Sequence, residues 1–468
     1  MYMRKLVVVA LLTLALSHRL VVDNQRKPRL TLNEETFVVI ATNDIHGAAY
    51  PTQLIRSDTK EKYTYGGLAT MAGIIDIVKK EYGQDNVLYL DAGDHFQGGI
   101  EASKLVSNGM IINEFFNAEG VATTALGNHE FDFGPDFLNQ YLKNSVSQFM
   151  AANLYSEADQ PVTAFLPNTK RSQMFTLNNN FKVGVIGLIT VDTPSTSSGF
   201  TQHLFPDYKF KEYADIVYTE AKSLRANGAH AVLIMAHEGN SCPGQSMNLS
   251  TWKKTTNQTA CPDGPMTHIL DLLPNGTVDA IVQGHRHEIV HFYKNGVPIV
   301  GNTNGGFYFN LLYLTFNRLN RKLVDTAIEG PIPVCERIFT NLKRCPYVAP
   351  KDLAAAGQLT KWKFHSQDVA PSDRVQALFN EWLPLMKPYL EDIVENDVYL
   401  EVSKSKETEL GNLVADLYFK AGQGNVDFSL VNPGSFRTTW NPGMLQYQHF
   451  YNMFPFENKL ETFVVTGR

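Results

Sequence analysis

The chain has 468 residues, of which 44% are hydrophobic and 19% charged, and its formal net charge is −6. That balance excludes a disordered polymer, and the length is too great for one ordinary core and predicts two domains. The absence of a basic block argues against a nucleic-acid polymer as partner but not against one small nucleotide, whose charge metals can neutralise locally.

The first predicted element is a targeting segment. Arg4 and Lys5 precede an apolar run from Leu6 to Leu16 broken only by Thr13, and Ala15-Leu16-Ser17 has the form of a signal-peptidase site. Residues 1–17 are therefore expected to be a signal peptide, followed by a polar, basic arm over 18–34, and the protein to be secreted, extracellular or at the cell surface. From residue 36 apolar runs alternate with amphipathic stretches. Strands are predicted over 36–42, 86–90, 182–189, 231–236 and 280–283, and helices over 67–80 and 110–118. This β–α alternation means an α/β domain.

Cysteine and glycosylation patterns fit an oxidising compartment. Cys242 and Cys261 bracket one loop, and Cys335 and Cys345 another. Four cysteines allow three pairings, of which local pairing within each bracket is the simplest. Sequons stand at Asn248, Asn257 and Asn275, two of them inside the first cysteine bracket, which suggests a glycosylated surface loop.

Residues 331–370 carry proline-rich stretches and the second cysteine bracket, and read as an irregular connection. Helical periodicity returns over 373–394, with Pro384 and Pro388 positioned to kink or interrupt it. Residues 396–468 open a second α/β segment, with a helix over 409–418 and a strand over 426–431.

Five of the apolar runs close on short polar motifs: Asn43-Asp44-Ile45-His46, Gly93-Asp94-His95, Gly127-Asn128-His129-Glu130-Phe131-Asp132, Ala236-His237-Glu238 and Gly284-His285-Arg286-His287. Functional groups of open α/β sheets gather where the chain leaves the strands, so the five segments can converge on one crevice. The i, i+2 spacing of Asp44 with His46, and of His285 with His287, lets both members of each pair face it if the backbone is extended. A lone histidine is by default an ordinary core or surface residue, and His230, His268 and His291, which match no motif, are expected to be structural. His95 is expected to be no ligand, and Asn302 with Gly305-Gly306 to shape the site wall.

This ordered set resembles the calcineurin-like metallophosphoesterase superfamily. The forms Thr-Asn-Asp-Ile-His, Asp-Ala-Gly-Asp-His-Phe-Gln-Gly, Leu-Gly-Asn-His-Glu-Phe-Asp-Phe-Gly and Gly-His-Arg-His point to its 5′-nucleotidase branch. The resemblance implies a four-layer α/β/β/α sandwich domain over residues 35–330, a linker with a helix over 331–395, and a partial 5′-nucleotidase C-terminal substrate-binding domain over 396–468. It further implies two divalent metal ions, about 3.5–4 Å apart, that clamp a phosphate and supply a hydroxide. Asp94 matches the bridging position; Asp44, His46 and His287 would complete one metal site, and Asn128, His237 and His285 the other. Mixed imidazole, carboxylate and amide donors suit zinc first, with manganese or cobalt as alternatives. His129 would face the phosphate or the leaving oxygen rather than a metal, oriented and charged by Asp132, while Glu130 would hold the local loop.

In the resembled branch a second domain binds the nucleoside. Asn432-Pro433-Gly434-Ser435-Phe436-Arg437 stands where the family has Asn-Gly-Gly-Gly-Ile-Arg, so Asn432 can contact the base and Arg437 the phosphate; Phe456 fits the aromatic that stacks on the base. Pro433 and Phe436 are departures, as are Lys404 and Lys406 where an arginine is usual. The chain stops at Arg468, which in the family lies mid-domain, ahead of the second stacking aromatic. The expected function is that of a secreted enzyme hydrolysing nucleoside 5′-monophosphates by attack of a metal-bound hydroxide. The alternatives are action on cyclic nucleotides, nucleotide sugars or other phosphoesters, and a catalytically weak nucleotide- or metal-binding protein.

Overall fold

The computed structural model describes residues 33–95, 107–253, 261–345, 352–403, 406–455 and 460–466. The signal segment, Asn257, Lys404 and Phe456 lie outside them. Among the described residues the strands form two large sheets, one of eight strands and one of six. The strands and helices used below are β1 (Glu34–Thr42), α1 (Leu68–Tyr82), β2 (Val87–Asp91), α2 (Met110–Glu119), β3 (Thr123–Ala125), β4 (Gln148–Met150), β5 (Lys182–Ile189), α3 (Ala214–Ala226), β6 (Ala231–His237), α4 (Pro265–Leu272), β7 (Ala280–Gln283), β8 (Tyr308–Asn317) and β9 (Leu323–Pro333).

In the larger sheet β1, β2, β3 and β4 run parallel in that order, and β8 pairs with β1 antiparallel. In the smaller sheet β5, β6 and β7 run parallel. Parallel central strands are covered on both faces and read as unbroken apolar runs. β1 shows why: Val38 and Ile40 pack on one side with α1 and α2, while Phe37, Val39 and Ala41 pack on the other. That second set meets Val183, Val185, Leu233, Met235 and Val282 of the smaller sheet, so the two sheets stack face to face. The far face of the smaller sheet is closed by α3 and α4. The result is a four-layer α/β/β/α sandwich.

The expected strands and helices from residue 36 to 283 are present. Local pairing holds for both disulfides, Cys242–Cys261 and Cys335–Cys345. The segment after residue 331 packs closely: Val334, Cys335, Ile338, Cys345, Trp362, Phe364 and Val369 are buried in the same cluster as Val38 and Ile40.

Two expectations in the C-terminal part need correction. The helix expected over 373–394 is α5 (Asp373–Met386), which contains Pro384 and gives way to a 3₁₀ turn over Lys387–Tyr389. Pro388 has no N–H to extend the ladder, and the chain then enters strand β10 (Asp392–Asn396). The strand expected over 426–431 is not formed: no neighbour pairs with it among the described residues, and Phe428 and Leu430 are exposed. What does form is a small unit of α6 (Glu409–Ala421), β11 (Gly443–Gln446) paired with β10, and α7 (Tyr447–Met453), around its own cluster of Leu400, Leu410, Val414, Phe436, Trp440 and Leu445.

A part-buried charge cluster ties the connecting segment to the sandwich. His365 contacts Glu81 Oε2 at 2.7 Å through Nδ1 and Glu329 Oε1 at 3.1 Å through Nε2. Burial alone would lower its pKa, but the hydrogen bonds and charges of Glu329 and Glu81 outweigh that and push it up to about 9. The stabilisation is fully present below the ordinary value of 6.5 and is lost as pH rises through about 9. We expect thermal unfolding followed from pH 6 to pH 10 to fall more steeply for the native chain than for His365→Gln, with roughly 3 kcal/mol at stake. Parallel profiles for the two proteins would refute the role of this cluster.

Candidate metal centre and cleft

Every motif residue emerges from the same edge of the sheets. β1 ends at Thr42 before Asp44, β2 at Asp91 before Asp94, and β3 at Ala125 before Asn128 and His129. In the second sheet β6 ends on His237 itself, and β7 at Gln283 before His285 and His287. Parallel strands place all these termini together, because each is followed by a crossover that starts on the same side.

The i, i+2 pairs converge, but not through extended backbone. Asp44, His46, Asp94, His285 and His287 all have positive φ, between 50° and 72°. The left-handed turn swings each side chain back over the strand end. Asp and His enter this region more readily than most non-glycine residues, but at a cost, and five such residues at one buried point mark a functional site.

The side chains form two adjoining donor groups. In the first, ligand atoms of Asp44, His46, Asp94 and His287 all lie within 4.8 Å of one another. His46 Nε2 and His287 Nε2 are 3.1 Å apart, and His287 Nε2 is 3.1 Å from Asp44 Oδ1. That Asp44 oxygen is buried and accepts no hydrogen bond. In the second group His237 Nε2 lies 3.0 Å from both Asp94 Oδ2 and Asn128 Oδ1, and His285 Nδ1 lies 3.1 Å from Asn128 Oδ1. Asp94 belongs to both groups. Imidazole nitrogens converging on carboxylate and amide oxygens, one of them without a donor, are a fitting donor set for two divalent cations.

Buried backbone and carbonyl contacts orient these groups. Asp44 Oδ2 accepts from His285 N at 2.9 Å and Asn43 Nδ2 at 2.6 Å, and Gly305 N donates to the Asp44 carbonyl at 2.8 Å. His237 Nδ1 lies 2.7 Å from the Ala92 carbonyl, which leaves Nε2 for the cleft. Glu130 accepts from the N–H groups of His95, Asp94 and Gly127 at 2.7, 3.1 and 2.6 Å and so clamps two motif loops together. Glu238 accepts from Thr190 Oγ1, Tyr213 OH and Gly239 N.

Burial raises the Asp44 pKa, but His287 and His46 outweigh it, and the carboxyl stays ionised well below its usual range. Asp94 is likewise lowered: burial opposes ionisation, and His237 and His129 overcome it. Burial drives His287 down to about 4 and His285 well below its ordinary value. Anionic carboxylates and neutral imidazoles are the forms that bind a metal. His237 is the exception: burial disfavours its charge, yet Asp94 pushes its pKa up to about 10, so a cation must displace a proton there.

His129 stands beside this centre. Its N–H donates to Asp94 Oδ1 at 3.0 Å, and its Nδ1 is 2.7 Å from Asp132 Oδ2. Burial pulls its pKa down, but the charges of Asp132 and Asp94 hold it above the ordinary value. Asp132 is fixed in turn by Ser197 Oγ at 3.0 Å and Ser198 N at 2.8 Å.

A cleft of about 550 Å³ opens over these residues. Asp94, Asn128, His129, His285 and His287 line it together with Asn432 and Arg437, so the C-terminal unit closes one side. Burial lowers the Arg437 pKa against the pull of Asp94, Asp44 and Asp132. Phe456 lies outside the described residues. His95 turns into the core toward Tyr141, Thr124 and Asp91. His230 accepts from Lys182 N, His291 is buried against Trp252, and Asn302 bonds to Asn43 in the site wall. The sequence reading missed the wall of Ser195, Thr196, Ser197 and Ser198. Its signal was present: a run of hydroxyl residues beyond the end of β5 at Ile189, the one strand of the five predicted that was assigned no motif.

Comparison with known proteins follows the same division. A family model for calcineurin-like phosphoesterases matches residues 37–288, and one for the 5′-nucleotidase C-terminal domain matches residues 390–468. The cell wall protein Lmo0130 of Listeria monocytogenes is 25% identical over 469 residues, covering 92% of this chain and 54% of its own length. The 5′-nucleotidase of Diplobatis ommata is 31% identical over 204 residues, covering 43% of this chain and 33% of its own. This chain thus spans about half the length of the first relative and matches a third of the second. The crystal structure of a 5′-nucleotidase precursor from Thermus thermophilus superposes with a TM-score of 0.67 at 22% identity, covering 90% of this chain and 74% of that one.

A Cβ at Gly127 would stand 2.1 Å from Asp94 Oδ1 and 2.6 Å from Asp94 N. Gly127→Ala must therefore displace the shared carboxylate. We expect it to weaken divalent-metal binding at least tenfold by isothermal titration calorimetry while the circular dichroism spectrum is retained. Unchanged metal affinity would show that Asp94 is not held as described.

Proposed function

This chain belongs to the calcineurin-like phosphoesterase family, and we propose that it is a phosphoric monoester hydrolase that uses two divalent metal ions to release phosphate from nucleoside 5′-monophosphates. The observation that carries this reading is the placement of Asp94 in both donor groups, with His129 and Arg437 on the same cleft. Asp44, His46 and His287 would hold one ion and Asn128, His237 and His285 the other, with Asp94 available to both. Bound there, the ions would neutralise phosphoryl charge and supply the nucleophile, with zinc the first choice.

The remaining roles belong to the chain. Arg437 holds the phosphoryl oxygens, and its fork suits their geometry. His129, whose pKa Asp132 and Asp94 raise against the effect of burial, stands to donate a proton to the departing ester oxygen or to stabilise its charge. Ser197 and Ser198 keep Asp132 from rotating away from the ring. Asn432 is exposed at the cleft and is the proposed base contact. The cleft is polar in its described lining, which suits a small anionic nucleotide. An extracellular or surface location is supported by the two disulfides, by exposed sequon residues Asn248 and Asn275, and by a relative that is a cell wall protein.

The test is phosphate release by the zinc- or manganese-loaded chain from AMP, a cyclic nucleotide, UDP-glucose and an aryl phosphate. We expect AMP to be turned over fastest and a chelator to abolish turnover. Release from none of them with both metals bound would sink the enzyme reading; release from the aryl ester alone would sink the nucleotide assignment. Asp94→Asn should lose both metal and activity. His129→Ala should lower kcat by roughly 10²–10⁴-fold and retain metal; if it empties the centre, the division of roles is wrong.

A further inference from the structure

The roles proposed above leave one wall of the cleft without a ligand. Beyond β5 the chain makes two single-turn helices, Thr193–Thr196 and Ser198–Thr201. Ser195, Thr196 and Thr201 are exposed there and line the cleft. The wall is tied to the centre at two points. Asn128 Nδ2 donates to the Thr196 carbonyl at 3.2 Å, and Asp132, behind His129, accepts from Ser197 and Ser198. It therefore stands on the His129 side of the centre, where the departing alcohol must lie.

The hydroxyls of this wall have already spent their hydrogens. Ser195 Oγ and Thr196 Oγ1 both donate to the Asp192 carbonyl at 2.9 Å, and Thr201 Oγ1 donates to the Ser198 carbonyl at 3.2 Å. A hydroxyl has one hydrogen and two lone pairs, so what these three offer the cleft is acceptor capacity. Such oxygens pair with neutral O–H and N–H donors and give nothing to a phosphate, which is served by the cations of the cleft. The described lining also holds no phenylalanine, tyrosine, tryptophan or aliphatic residue. Among the described residues, then, the cleft is built for hydroxyl groups rather than for an apolar ring.

Resting on the phosphoesterase reading, we propose that Ser195, Thr196 and Thr201 form a leaving-group subsite that selects the sugar hydroxyls of the ester, so that the substrate class extends to sugar phosphates that carry no base. The step balances as it does for a nucleotide: the P–O ester bond breaks, the oxygen of water joins phosphorus, and a proton passes to the departing sugar oxygen. The competing role is a scaffold that only braces Asp132; its loss would slow every ester alike.

Phosphate release by the full metal-loaded chain from AMP, 2′,3′-dideoxy-AMP, ribose 5-phosphate and phenyl phosphate separates the two. A site that pairs with a substrate hydroxyl rejects the analogue lacking it, because its own polar groups are left unpaired. The kcat/KM for 2′,3′-dideoxy-AMP should fall about tenfold or more below that for AMP, whereas ribose 5-phosphate should stay within about tenfold of AMP. In Ser195→Ala/Thr196→Val/Thr201→Val the preference for AMP over its dideoxy analogue should shrink to about twofold or less, through a rise in the KM for AMP. A thermal melt checks that this variant is folded, and the comparison of esters on the native chain does not depend on it. Equal turnover of AMP and 2′,3′-dideoxy-AMP, no turnover of ribose 5-phosphate by a chain that hydrolyses AMP, or a variant that loses both nucleotides in equal measure overturns the subsite alone. Release from none of the four esters rejects the hydrolase reading with it.

Discussion

Two carboxylates held out of water, Asp44 and Asp94, set the terms for this molecule. Burying an ionised carboxylate is costly unless charge and hydrogen bonds compensate it closely. Here the compensation comes from histidines on both sheets and from backbone N–H groups of neighbouring loops. That requirement draws five strand ends to one point. It also explains why the chain tolerates left-handed backbone at Asp44, His46, Asp94, His285 and His287, at a cost of roughly 1 kcal/mol or more each.

Around this pair lies a layer of acids that do not reach its centre. Glu130 spends its two oxygens on three backbone N–H groups, Asp132 on His129 and the Ser197–Ser198 turn, and Glu238 on hydroxyls, a backbone N–H and Arg286. Each joins segments distant in sequence. A displacement of about 1 Å in a catalytic group can cost a large factor in rate, so this layer matters as much as the donors. It also separates roles among like residues: His95, one position after Asp94, is drawn into the core by Tyr141 and Thr124.

The C-terminal unit reaches the cleft because the segment before it is anchored to the sandwich. Val334, Cys335, Ile338, Cys345, Trp362, Phe364 and Val369 contribute to the core beneath α1 and α2. α5 is then fastened by Trp382 Nε1 to Glu114, by Arg374 to Glu119, and by the Tyr50 hydroxyl to the Phe379 carbonyl. These contacts fix where α5 ends and deliver Asn432 and Arg437 to the rim. The unit itself has a small core and leaves Leu413, Leu417, Phe428 and Leu430 exposed.

The central strands and helices up to residue 283 were legible because burial on both faces of a parallel strand, or one face of a helix, imposes a local pattern. The donors were legible for a related reason: each follows a strand directly, so its place at the sheet edge is a consequence of the strand. Strand 426–431 and helix 373–394 misled because an apolar run fits several elements, and only a paired neighbour or a proline in context decides among them. The sequence alone thus determined the central strands and helices and the placement of the polar motifs at strand ends, both short-range in their physical origin; the four-layer architecture was an implication of the family resemblance. Only the tertiary structure decided that α5 docks on α1 and α2, that Arg437 lines the cleft, that Ser197 holds Asp132, and that Glu238 meets Arg286. Those contacts join residues dozens to hundreds of positions apart, and no local pattern encodes which of them meet.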